Sequence, residues 1–77
     1  MDTDQLRQAL KELNGERTLR IAFAHTRTPE GGVGGLTVER AMLIPDEPDH
    51  LVKVTDGRSV YIIEAQHVAW IQIELNA

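Results

Sequence analysis

The chain has 77 residues, a formal charge of −4 at pH 7 and no cysteine. That length fits one domain, residues 1–77, with a core of limited size. The missing thiols exclude disulfides, thiol catalysis and cysteine-ligated zinc or iron–sulfur sites. The acidic balance argues against nucleic acid as the main partner, because phosphate neutralisation by Lys and Arg supplies most of the non-specific affinity of such binders. Arg7, Lys11, Arg17, Arg20 and Arg27 cluster toward the N-terminal end and read as charges on wet faces. No stretch approaches the roughly 20 apolar residues that cross a bilayer. Met1-Asp2-Thr3-Asp4 lacks the basic start and apolar run of a signal peptide, so the expected location is the cytoplasm.

Residues 3–13 predict an amphipathic helix, with Leu6, Ala9, Leu10 and Leu13 on one stripe. Asp2 or Thr3 can cap it, and Asn14-Gly15 ends it. A β-rich part follows over 17–75. Thr18–Thr26 alternates as a half-buried strand, Leu19, Ile21 and Phe23 facing one way. Residues 27–35 read as a flexible glycine-rich loop, mobile over 28–35. Leu36–Ile44 is a second strand, with Arg40 interrupting a face of Leu36, Val38, Met42 and Ile44. Pro45-Asp46-Glu47-Pro48-Asp49 is a turn. Leu51–Thr55 and Arg58–Glu64 are strands three and four around Asp56-Gly57, which suits a type I′ hairpin turn. Ala65-Gln66-His67 is a single tight turn, and Val68–Leu75 is the fifth strand.

Strands four and five are apolar on both faces: Val60 and Ile62 oppose Tyr61 and Ile63, and Val68 and Trp70 oppose Ile71, Ile73 and Leu75. A solvated antiparallel strand is polar on one face. Either the helix or another subunit therefore covers the second face. Core residues are expected to include Ile21, Phe23, Val38, Val54 and Ile62.

Asp56-Gly57-Arg58, Val60-Tyr61-Ile62 and Ala65 to Ile71, in a chain ordered as one helix and five strands, resemble the Sm-like family and, more loosely, other SH3-like small barrels. The resemblance implies a small SH3/Sm-like barrel and a ring built through the fourth and fifth strands. The basic or glycine-containing RNA signature of that family is replaced here by Glu64-Ala65-Gln66-His67, so RNA binding does not carry over with the fold.

Gly31, Gly32, Val33, Gly34 and Gly35 contain Gly-x-Gly, but the third glycine of a dinucleotide fingerprint would fall on Thr37 and no helix follows. These residues are read instead as a loop that can fold onto a partner. His25, His50 and His67 show no zinc spacing, and the acids around His50 lack the spacing of a calcium loop. Ser59, the only serine, has no nucleophile elbow around it. No catalytic, metal or cofactor residue is assigned.

The resulting expectation is an α+β, mainly β domain: an N-terminal helix followed by a five-stranded bent antiparallel sheet or small barrel. Its expected function is that of a non-enzymatic interaction module that self-associates and binds a protein partner. Trp70, Ile71, Ile73, Leu75 and Tyr61 form the expected interface. An Sm-like RNA-binding ring and a small hydrolase or ligand-binding protein are the rival readings.

Overall fold

The structure, a computed structural model, describes residues 1–27 and 33–75, and of 25–27 and 33 the backbone alone. The first element, α1 (Thr3–Leu10), starts at a reciprocal cap. Asp2 Oδ1 accepts from the Gln5 N–H at 2.7 Å, and Gln5 Oε1 accepts from the Asp2 N–H at 3.0 Å. Two of the donors that a helix start leaves open are thereby satisfied. The helix stops short of the expected residue 13. The N–H groups of Lys11, Glu12 and Leu13 reach carbonyls three residues back, at 3.3, 3.4 and 3.0 Å, which tightens the last turn. Leu13 still joins Leu6 and Leu10 in the core. Gly15, at φ +85°, then turns the chain in a conformation that costs glycine little.

The strands are β1 (Leu19–Arg27), β2 (Val33–Val38), β3 (Met42–Leu43), β4 (Val52–Thr55), β5 (Val60–Ile63) and β6 (Val68–Ile73). They make two three-stranded antiparallel sheets, ordered β2-β1-β6 and β3-β4-β5. This corrects the expectation of one five-stranded bent sheet or barrel, and the sheets do not close into a barrel. The division lies inside the segment expected to be one strand over 36–44. Arg40 takes φ +53°, and Ala41 bonds to the loop after the helix: its N–H donates to Arg17 O and its carbonyl accepts from Gly15 N–H, both at 2.9 Å. A residue whose backbone is engaged there cannot extend a ladder, so β3 starts afresh in the other sheet. A second crossing between sheets is the one-turn 3-10 helix η1 (Ala65–His67), as expected for Ala65-Gln66-His67, which links β5 to β6.

The expected loop over 27–35 is corrected at its end, because β2 begins at Val33 and includes Gly34 and Gly35. Its remainder, 28–32, lies outside the described residues, and with it the expected mobility. The Asp56-Gly57 turn is also not type I′. Only Gly57 has positive φ (+90°), and four residues separate the paired Thr55 and Val60. Asp56 Oδ1 accepts from the N–H groups of Arg58 and Ser59, each at 2.8 Å, and this side-chain bridge replaces the two-residue turn.

One core cluster takes Leu6, Leu10, Leu19, Ile21, Val38, Val52, Val54, Ile63 and Val68 from the helix and from strands of both sheets, and no polar side chain among the described residues is buried with them. The helix packs against β3, β4 and η1. Ile21, Val38 and Val54 lie in the core as expected, and Phe23 packs at its margin. Ile62 does not: it is 62% exposed. Register explains the correction. Val52 and Val54 face inward and stand opposite Ile63 and Tyr61, so Val60 and Ile62 face out beside Thr55 and Lys53.

A second correction concerns β6. Ala22 pairs with Trp70, and the next residue, Phe23, pairs with Val68. Ala69 is the extra residue of a bulge, which reverses the alternation. Val68 therefore points into the core while Trp70 points out, and the two do not share a face.

Leu10→Ala should lower unfolding free energy by about 2–5 kcal/mol, the usual cost of emptying a buried leucine site. Leu75→Ala, at a position 72% exposed, should change it by under about 0.5 kcal/mol. Urea unfolding followed by far-UV circular dichroism measures both.

Candidate functional site

Arg20 and Ala22 face outward from β1, the central strand of its sheet. Pairing aligns Thr37, Arg20 and Gln72 in one row across that face, and Gly35, Ala22 and Trp70 in the next. The second row descends from an indole to a methyl group to a bare backbone. The result is an open groove of about 440 Å³, with Gly34, Gly35 and Ala22 along it and Trp70 as a wall. A side chain at position 35 would change it, because a Cβ there would come within 3.1 Å of the Ile21 carbonyl oxygen. At the rim, Arg20 Nη2 lies 3.1 Å from Glu74 Oε1.

The five expected interface residues divide between two environments. Trp70 (55% exposed) and Leu75 face outward. Ile71, Ile73 and Tyr61 are half-buried and pack against the core. Sequence reasoning missed Val60, 56% exposed, as an outward residue of β5, and it had placed Ile62 inside. The segment Val60-Tyr61-Ile62-Ile63 is apolar throughout, so alternation alone could not assign its faces. Both β5 and β6 are edge strands of their sheets.

Of the expected loop residues, Gly34 and Gly35 border the groove from β2 and Val33 opens that strand, whereas Gly31 and Gly32 lie outside the described residues.

The acidic turn 46–49 holds the helix and β4 together. The largely buried Arg7 places Nη2 3.3 Å from Asp46 Oδ1 and donates from the same nitrogen to the carbonyls of His50 and Leu51, at 3.2 and 3.4 Å. Lys53 Nζ lies 2.7 Å from both Glu47 Oε1 and Asp49 Oδ2. His50 Nδ1 stands 3.2 Å from Asp46 Oδ1. His67 is exposed on η1, and the His25 side chain lies outside the description. Among the described residues no three His, Cys, Asp or Glu gather as a metal site. Ser59 serves the turn, its N–H donating to Asp56 and its carbonyl accepting from the Thr55 hydroxyl. Among the described residues no helix is long and apolar enough to cross a membrane.

No family model, curated protein or solved structure matches the chain.

The turns also set the pH response. The Lys53 ammonium, then the Leu51 N–H, hold the Asp49 carboxyl below its ordinary 3.8. The N–H groups of Ser59 and Arg58 do the same for Asp56. Asp49, then Glu47, hold Lys53 above its ordinary 10.5. Depressed carboxyls contribute stability above 3.8 that is lost as pH falls through their folded values. The raised lysine contributes stability below 10.5 that is lost as pH rises through its own. Thermal unfolding should therefore give a plateau in Tm between about pH 5 and 9, with a fall on each side. Lys53→Met should flatten the alkaline fall, and Asp56→Ala the acid one; unchanged limbs would refute the assignment.

Proposed function

We propose that this chain is a non-enzymatic interaction module of a reducing, cytoplasmic setting, which contacts other protein chains, including copies of itself, through the outward residues of the edge strands β5 and β6. The observation that carries this reading is the exposure of Val60, Ile62 and Trp70 on the edge strands β5 and β6. An edge strand presents unpaired N–H and C=O groups, and natural proteins guard such edges with charges, prolines or covering elements. The outward positions of β5 carry branched apolar side chains instead, and α1 packs elsewhere. Each such side chain removed from water contributes about 1.5–3 kcal/mol, enough together to offset much of the ordering cost of a weak association.

The Sm-like resemblance belongs to the same reading. It is supported by the one-turn link between β5 and β6 and by the passage of the chain between sheets at Arg40 and at η1. RNA is not the partner proposed. Arg17 and Arg20 are engaged with Glu12 and Glu74, and acids outnumber basic residues 12 to 8.

Light scattering from 10 μM to 1 mM, on the order of the range where small interfaces form, tests the reading. A mass rising above 8.6 kDa with concentration is expected. Ile62→Lys, which puts a charge on an outward apolar position, should weaken capture of an extended apolar peptide on β5 while leaving the fold intact. A constant mass of one chain would overturn self-association.

A further inference from the structure

The groove beside Trp70 is more specific than a general sticky edge. Knob and hole lie side by side on one face: the indole of Trp70, more than half exposed, and next to it the cavity of about 440 Å³ over Ala22 and Gly35. Cavities of about 300–1,000 Å³ accommodate whole ligands, so one indole fits in this one. The rim carries one cation and one anion, Arg20 and Glu74, 3.1 Å apart. A two-fold axis brings the same patch of each partner together, so the patch must complement itself in shape and charge. A knob beside a hole, with opposite charges on the rim, meets both conditions, whereas a partner of one charge sign would leave Arg20 or Glu74 opposed by its like. β6 is also an edge strand, so the Trp70 side of the groove reaches the margin of the sheet.

We infer that two copies of this chain pack face to face across a two-fold axis, the Trp70 indole of each filling the groove over Ala22 and Gly35 of the other. This rests on the reading of the chain as a self-associating module and assigns that contact to one face. The outward residues of β5, Val60 and Ile62, are left free for a different chain. The face is three strands wide, about 14 Å, and a standard interface covers about 800 Å² per partner. A face of that width is smaller than a standard interface, so the dimer is a weak one.

Trp70 is the only tryptophan, so its emission reports on this face alone. The experiment follows molecular mass by light scattering and acrylamide quenching of Trp70 over the same concentration series. The expected result is a mass that doubles, with quenching that falls at least twofold in step. Ala22→Leu fills the hole from an outward position of β1 and should weaken dimerisation at least tenfold with an unchanged circular dichroism spectrum. Gly35 is unsuitable for this purpose because of the Ile21 carbonyl beside it. Arg20→Glu should also weaken the dimer, and the double exchange Arg20→Glu/Glu74→Arg should restore it, which provides a test independent of how Ala22→Leu folds. A mass that doubles while Trp70 remains freely quenched overturns this inference and leaves self-association standing through another surface. A mass that never rises overturns both. Trp70 emission already protected in the monomer means that the groove is filled within one chain, and it too overturns the inference.

Discussion

The packing of Leu6 and Leu10 into the one apolar core shared by both sheets is the constraint on which the other features depend. Each sheet has only three short strands and an apolar face that must be covered for it to hold in water. The helix could not stand alone either, being far below the length at which an isolated helix is stable. Each element is ordered by an apolar surface that the others provide. The core is built from aliphatic side chains, and no polar group is buried with it among the described residues. Its packing therefore fixes the spacing of the layers without a directional bond to enforce it.

Direction comes instead from the ion pairs and backbone contacts around that core. Arg7 reaches from the helix to the carbonyls of His50 and Leu51, and Asp46 faces the same guanidinium. Gly15 and Arg17 bond to Ala41 at the break between β2 and β3. These contacts orient a helix that hydrophobic burial alone would leave free to slide along its stripe. They also explain why a turn dense in acids and prolines is well placed: Lys53 and Arg7 absorb its charge, and most of the residues involved are partly exposed, so their contribution is geometric more than energetic.

What remains for partners is set by the same economy of surface. The described residues form two sheets, one α-helix and one 3-10 turn, and the α-helix packs on β3, β4 and η1. Among the described residues, the edge strands β5 and β6 carry large apolar residues outward. Trp70 faces outward in phase with Gln72, opposite in sense to Ile71 and Ile73, and the bulge at Ala69 is what turns Val68 into the core. The groove is thus a consequence of that indole beside two small residues, Ala22 and Gly35, in the neighbouring strands.

The sequence by itself determined the helix and its stripe, the inward face of β1, the one-turn link after β5 and the absence of thiol chemistry. In each case the signal is local: a period of 3.6 or 2 in the apolar residues, or a residue type that is simply missing. It named Trp70 as a possible interface residue or an ordinary core residue, on a face shared with Val68, and the structure separates the two. Tertiary structure alone decided which way β5 faces, because Val60 to Ile63 is uniformly apolar and only pairing with the alternating Val52-Lys53-Val54-Thr55 fixes its phase. It alone decided the break at Arg40, where a backbone bond from Ala41 to a loop distant in sequence outweighs the continuation of a strand pattern. The groove also became visible only in the structure, since Gly35, Ala22 and Trp70 are far apart along the chain and become neighbours through strand register. Register depends on long-range pairing, and no short window of sequence contains it.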